Sequence, residues 1–256
     1  MKRVLSVVYI AQDAERCLRR SLASVCSLAD DLVLIDSGST DSTREIATER
    51  GARVIQRPWP GFAAQRQFAV NTARNDWVLM MDSDEILTKA GATVIARIME
   101  TDAEHEVTAY ALERRSFFHD KEIRHGDWAH DRVLRLFDRR RGAYGESLVH
   151  EVWQTSGRIQ KIPGCALHHY SYANYGELLD KMRHYATLNA RQLHQRGKTL
   201  HAYMPMTHAL AAFWRGYFWR LGFLDGVEGA AIAWTTTLGA FMKYAMALEL
   251  RDHDPQ

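Results

Sequence analysis

The chain has 256 residues, 33 Lys and Arg against 31 Asp and Glu, and a formal net charge of +2. At 46% hydrophobic and 25% charged it has the composition of an ordinary folded protein, which excludes intrinsic disorder, a collagen-like repeat and a small disulfide scaffold. The near-zero balance also speaks against a nucleic-acid coat, yet it hides an asymmetry: residues 1–110 hold 13 basic and 16 acidic side chains, leaving 20 and 15 for the remainder.

In chain order, Val4 to Ile10 is a β-branched run that predicts a strand, and the stretch from Asp13 to Leu22 repeats its apolar positions at helical spacing. Leu32-Val33-Leu34-Ile35 predicts a second strand, broken by Asp36-Ser37-Gly38-Ser39-Thr40-Asp41 before a helix over Ser42 to Arg50 that Gly51 ends. Val54-Ile55 reads as a third strand, Gly61 to Ala73 as a helix, and Trp77 to Met81 as a fourth strand running into Asp82-Ser83-Asp84-Glu85. Strands without polar alternation, separated by helices, predict an α/β fold with a mostly parallel sheet covered on both faces. Beyond residue 107 strands are expected over Val107 to Leu112, Val133 to Phe137 and near Val149 to Trp153. From Tyr175 onward the pattern is helical, with Met204 to Leu224 as one segment, Pro205 in its first turn, and Ile232 to Leu250 as another.

Cys17, Cys26 and Cys165 form no CxxC pair and no zinc spacing, as expected of buried thiols in a reducing compartment. Charged residues interrupt the N-terminal apolar run too early for a signal peptide, so a cytoplasmic location is expected. No run reaches the roughly 18 apolar residues of a membrane-spanning helix.

The two acidic clusters stand at the carboxyl ends of predicted strands, where an open α/β sheet binds its ligands. Two aspartates one residue apart suit a hard divalent cation, and Mg²⁺ or Mn²⁺ held in this way completes its shell with substrate phosphates. The motifs Ile35 to Thr43, Gln65-Arg66-Gln67-Phe68-Ala69 and Trp77 to Glu85 resemble, in order and separation, the family 2 glycosyltransferases of the GT-A fold. These enzymes use nucleotide-sugar donors and invert the anomeric centre. Leu148-Val149-His150-Glu151, His169-Tyr170-Ser171-Tyr172, Phe223-Leu224-Asp225-Gly226 and Phe241-Met242-Lys243-Tyr244 extend the likeness to the lipopolysaccharide core β-glucosyltransferase subgroup.

The resemblance implies a GT-A catalytic domain over 1–172, its nucleotide-sugar part at about 1–110 and its acceptor side at about 111–172, then a helical extension over 173–256. It implies that Asp36, beside the Tyr9 region, receives the base or ribose of a UDP-sugar, that Arg66 pairs with uracil or diphosphate, that Asp82 faces ribose or metal-bound water, and that Asp84 ligates the cation, with His169 as a further ligand. Asp41 has two readings, ligand contact or helix N-cap. Glu151 is the implied general base, with Asp127 second and His150 orienting Glu151 or lying near the phosphates. Arg132 and Arg135 are candidates for donor diphosphate or an anionic acceptor, whereas Arg139 to Arg141 read as a solvated face. Gln12-Asp13 replaces the family's usual Asn-Glu pair, and the Gln-x-x-Arg-Trp motif of processive synthases is absent, so single-sugar transfer is expected.

Lys181 to Leu224 carries seven Lys and Arg, no Asp or Glu, and a group of Trp, Phe and Tyr side chains. Either these helices pack with their arginines outward, or they lie peripherally on the anionic inner face of the cytoplasmic membrane, where a lipid-linked lipopolysaccharide core precursor would be met. A polyprenyl-phosphate glycan acceptor, a nucleotidyltransferase and a non-catalytic nucleotide-sugar-binding protein are the alternative readings.

Overall fold

A computed structural model describes residues 3–101, 107–129, 131–145, 152–197 and 199–253, apart from the side chain of Cys165. In chain order it contains β1 (Leu5–Ala11), α1 (Glu15–Val25), β2 (Asp31–Asp36), α2 (Thr43–Glu49), β3 (Arg53–Gln56), α3 (Phe62–Thr72) and β4 (Trp77–Asp82). There follow β5 (Glu85–Leu87), α4 (Lys89–Glu100), β6 (Val107–Phe118), β7 (Lys121–Glu122), β8 (Asp131–Asp138), β9 (Gly142–Tyr144), β10 (Trp153–Thr155) and β11 (Arg158–Tyr172). The helices α5 (Tyr175–Gln195), α6 (Met204–Phe213) and α7 (Gly226–His253) complete the chain. The chain divides into two compact units, one of residues 1–114 and 131–170, the other of residues 115–130 and 171–256.

The first unit is the α/β layer that the apolar runs predict. The strand order is β3-β2-β1-β4-β8-β6-β11-β5, with β1 parallel to β2 and β4, and β2 parallel to β3. The strand β8 then runs antiparallel to both β4 and β6, and β5 antiparallel to β11. Because successive side chains on a strand point to opposite faces, the parallel strands feed two cores. Val7 and Tyr9 of β1, Leu32 and Leu34 of β2, and Leu79 and Met81 of β4 pack with Leu18, Leu22 and Val25 of α1 and with Ile95 of α4. On the other face Val8, Ile10, Val33, Ile35, Val78 and Met80 pack with Ala69 and Val70 of α3, Phe137 and Trp153. Burial on both faces is why these runs show no polar alternation.

In the second unit α7 packs against α5 and α6. Ala190, Leu193, Leu200 and Ala247 form one apolar cluster, and Phe118, Ile123, Leu178 and Ile232 form another. Pro205 stands in the first turn of α6 as expected. The single helix expected to reach Leu224 is broken: α6 passes into a π-helical stretch, Trp214–Trp219, then a 3₁₀ turn, Gly222–Asp225, and Leu221 adopts φ of 57°. Close chain packing is the reason, since a Cβ on Gly222 would lie 2.6 Å from the Gly216 carbonyl oxygen. Among the described residues no helix is long and apolar enough to cross a membrane.

Candidate active site

The sheet register brings the acidic clusters together. Ala11 pairs with Asp36 and Ile10 with Asp82, so the two aspartates end the strands on either side of β1. Three consecutive residues of α3 tie the neighbouring loops. The Gln65 side-chain amide donates to Ser37 Oγ at 3.0 Å, Arg66 donates to both Asp82 oxygens at 2.9 and 3.1 Å, and Gln67 accepts from the Tyr144 amide at 2.9 Å. The motif Gln-Arg-Gln is therefore a clamp across the ends of β2, β4 and β9.

Asp36 is fully buried, and its carboxylate accepts from the amides of Gly38 and Ser39 at 3.2 Å and from the Ser39 hydroxyl. Those contacts shape the turn after β2, a common role for an aspartate at a turn. Asp41 takes the structural of its two readings: Oδ1 accepts from the amide and hydroxyl of Thr43 at 3.0 and 2.5 Å, and Oδ2 accepts from the Glu15 amide at 3.0 Å. One carboxylate thus caps the first turns of α2 and α1. Burial raises its pKa, but the hydrogen bond from Thr43 and the backbone amides outweigh that and leave it lowered.

Tyr9 does not reach the strand ends. Its side chain has no exposure, lies in the core beneath α1 and meets Ser21 Oγ at 3.1 Å; burial pushes its pKa up. The alternation of β1 sends Tyr9 to the α1 face, so its hydroxyl is not presented where the expected nucleotide wall would be.

Asp82 is the centre of an ion-pair network. Besides Arg66 it receives Arg135, which also donates to Glu85 at 2.7 Å, and Arg114 lies 3.6 Å from Glu85 while pairing with Asp131. Glu85 is wholly buried and Arg135 nearly so. Burial would raise the Asp82 pKa, but Arg135 and then Arg66 hold it well below the usual carboxylate range. Burial likewise opposes the charge on Arg135, and Asp82 and Glu85 reverse the effect and raise its pKa. Burial pushes the nearby Tyr144 phenol up to about 12. Sequence reasoning singled out Arg135 for an anionic ligand; in the structure it neutralises two carboxylates of the protein. Glu85 and Arg114 were missed as members of this network, although Glu85 directly follows the Asp-Ser-Asp triplet.

Asp84 and His169 are brought together. The backbone pairs His169 with Glu85, the Tyr170 amide donates to the Asp84 carbonyl at 2.9 Å, and His169 Nε2 stands 3.4 Å from Asp84 Oδ2. The Asp84 side chain is 26% exposed, so a ligand can reach it. Arg132 lies on the exposed side of β8, opposite Glu113. Arg139 and Arg140 serve the surface, Arg140 pairing with Asp76 at 2.9 Å and with Asp138 at 2.7 Å. In the second unit Asp127 is held by Arg220 at 2.7 Å and by Arg215 at 3.3 Å. Glu151 and His150 lie outside the described residues.

The model of the family described as glycosyl transferase family 2 matches residues 6–160, a span that begins at β1 and contains the Asp36 turn, the α3 clamp and the Asp82-Asp84 strand end. The chain belongs to glycosyl transferase family 2. The family's expected fold, an α/β GT-A arrangement with a helical C-terminal region, agrees with the sheet and helices described above. This glycosyltransferase is 25% identical to an uncharacterized glycosyltransferase of Rickettsia prowazekii (strain Madrid E), over 98% of the chain and 88% of that protein. It is 28% identical to the lipopolysaccharide core biosynthesis glycosyltransferase LpsC of Rhizobium meliloti (strain 1021), over 96% of the chain and 94% of LpsC. Among solved structures, glucosyl-3-phosphoglycerate synthase from Mycobacterium tuberculosis, in complex with Mn²⁺, UDP and glucosyl-3-phosphoglycerate, is 26% identical with a TM-score of 0.37, covering 45% of the chain and 44% of that protein. A likeness that loose carries no conclusion about the ligands of this glycosyltransferase.

Proposed function

We propose that this glycosyltransferase inverts the anomeric centre and moves one glucose from UDP-glucose to the heptose region of the lipopolysaccharide inner core. The observation that carries the donor side is the convergence of Asp36, Arg66, Asp82 and Asp84 at the ends of β2, α3 and β4, the edge at which open α/β sheets bind nucleotides. Full-length likeness to LpsC supports the acceptor.

The donor set around Asp84 fits a divalent cation, Mg²⁺ or Mn²⁺. A partly exposed carboxylate with an imidazole 3.4 Å away would supply two ligands; among the described residues no group of three His, Cys, Asp or Glu side chains is placed to hold a metal ion by itself. Two protein ligands leave the remaining positions to diphosphate and water, as suits a hard cation. Such a cation, when bound, offsets the charge that develops on the leaving diphosphate. Asp82, saturated by Arg66 and Arg135, acts by positioning: it fixes the Arg66 guanidinium beside the diphosphate, where a planar cation pairs well with phosphate oxygen.

In the transfer itself the acceptor hydroxyl gives its proton to the Glu151 carboxylate while its oxygen bonds the anomeric carbon from the side opposite the diphosphate. The bond between that carbon and the diphosphate oxygen breaks, and its electron pair leaves with UDP. Asp127 is the second candidate, because both of its oxygens already accept from arginines.

The proposal is tested by the core oligosaccharide mass in a strain lacking the protein, together with transfer assays across UDP-sugars. A core shortened by one hexose and its distal sugars, restored by UDP-glucose alone, is the expected result. An unchanged core contradicts the acceptor, and transfer from a different sugar nucleotide contradicts the donor.

A further inference from the structure

Of the two readings of the acid-free stretch, arginines outward or aromatic rings at a membrane surface, the exposed side chains of α6, the turn after it and the start of α7 favour the second. Trp219 is 80% exposed, Val227 71%, Trp214 63% and Trp234 62%, with Leu210 and Tyr203 nearly as open. Four of them, Leu210, Trp214, Trp219 and Trp234, join one cluster through Phe213 and Phe218. Leu210, Trp214 and Trp219 line one shallow groove, Trp214 packs at a tilt against Phe218 with ring centroids 4.9 Å apart, and Phe213 joins Phe218 to Trp234 at ring separations of 5.9 and 4.8 Å. A contiguous apolar face of this kind is uncommon on a protein surrounded only by water.

The chemistry of its side chains indicates what covers it. Between 201 and 242 the charged residues are Arg215, Arg220, Asp225 and Glu228. Asp225 is buried and bonded to the His125 amide at 2.7 Å, while Glu228 pairs with Lys121 at 2.8 Å. The face therefore carries two half-exposed guanidiniums and no exposed carboxylate. Both guanidiniums are tied to Asp127, which spends much of their field within the unit. Trp and Tyr, whose rings combine an apolar body with a polar edge, are the residues favoured at the level of lipid headgroups. No described helix is both long and apolar enough to span.

We propose that the face formed by α6, the Trp214–Trp219 turn and the first half of α7 inserts its aromatic side chains into the headgroup layer of a phospholipid bilayer, and that apolar burial, not arginine–phosphate attraction, supplies most of the affinity. This deepens the reading of a lipid-borne acceptor and rests on that reading only for its biological purpose; the binding is measured without any sugar. It also narrows the peripheral contact with an anionic membrane face, one of the two readings of the sequence, to one led by apolar side chains.

The test uses the full chain with vesicles of phosphatidylcholine, and of phosphatidylcholine mixed with phosphatidylglycerol, read by co-sedimentation and by quenching of tryptophan fluorescence with brominated lipid. The native protein is expected to bind both, with tryptophan quenched. Raising salt to about 0.5 M, where exposed charges are largely screened, should weaken binding by no more than about threefold. The exposed triple variant Leu210→Ser, Trp214→Ser, Trp219→Ser should lose about tenfold or more in partitioning, by the apolar area removed, whereas Arg215→Gln with Arg220→Gln should lose much less. Circular dichroism and UDP-glucose hydrolysis, both unchanged in the triple variant, separate loss of the surface from loss of the fold or of the donor site. Absent binding overturns the proposal, as does binding abolished by salt. So does a native dimer, seen by sedimentation, that the triple variant dissolves while neither form touches vesicles, because a second copy would then be the occupant.

Discussion

At the scale of single residues, the candidate site is organised by cations that belong to the protein. Arg135 sits buried between Asp82 and Glu85, so removing it leaves two carboxylates in a poorly solvated place without their shared partner. We expect Arg135→Met to lower stability by about 3–5 kcal/mol, the usual cost of breaking a buried pair from one side, as measured by urea unfolding. The pH dependence has a definite sign. In the native protein the Asp82 pKa is lowered, so its contribution is present above the ordinary carboxylate range and lost as pH falls. In the variant the strongest charge holding the Asp82 pKa down is gone, so the deficit should be largest near neutrality and shrink toward about pH 4, where carboxylates begin to take up protons. A second expectation concerns the base: Glu151→Gln should keep UDP-glucose binding by calorimetry and lose transfer by about two orders of magnitude or more, in line with what a positioned base supplies. Near-normal transfer by that variant would reassign the role. Asp82, Asp84, Asp36 and Arg66 were legible in the sequence because their motifs keep fixed spacing at strand ends. The partners of Asp82 were not, since Arg114 and Arg135 arrive from β6 and β8, and only the antiparallel register of those strands brings them to β4.

At the scale of elements, continuous apolar runs were enough to read β1 to β4 and their parallel pairing, because burial on both faces leaves that mark. The 15-residue β11 left no such mark: Lys161, Pro163, Gly164 and two adjacent histidines interrupt it, and its extended form follows from pairing with the sheet. Tyr9 shows the same limit within a correctly read strand, for the run says nothing about which face each residue takes until its neighbours are placed. In the second unit the helical period between 204 and 224 was real, but the break within it comes from glycines that let chain segments approach one another. Gly222→Ala should cost about 1–3 kcal/mol, because its Cβ would meet the Gly216 carbonyl oxygen at 2.6 Å and backbone yields less readily than a side chain. Thermal unfolding followed by near-ultraviolet circular dichroism, to which the many aromatic rings of that unit contribute, would register it. An unchanged transition would mean that the turn relaxes freely.

At the scale of the molecule, the net charge of +2 averages an acidic first part and a basic second part, and the two balances have different physical origins. The acidic part owes its surplus partly to carboxylates that cap turns or hold arginines, as Asp41 and Asp82 do, and partly to Asp84, which stands beside His169 at the end of β4. The basic part uses Arg215 and Arg220 to hold Asp127, and turns Trp214 and Trp219 outward beside them. The aromatic group was legible in the sequence, but charge counting alone could not distinguish a paired arginine from a free one, so the hold of Arg215 and Arg220 on Asp127 was not. The central claim is that the end of β4 holds a cation and a nucleotide sugar for transfer. Its most direct test is glucose transfer from UDP-glucose to the heptose-terminated core of the deletion strain, measured with and without Mg²⁺ or Mn²⁺ for the native protein and for Asp84→Ala. The account predicts transfer that requires the cation and falls by about two orders of magnitude or more in the variant, the scale of a lost electrostatic stabiliser; transfer unaffected by chelation and retained by Asp84→Ala would contradict it.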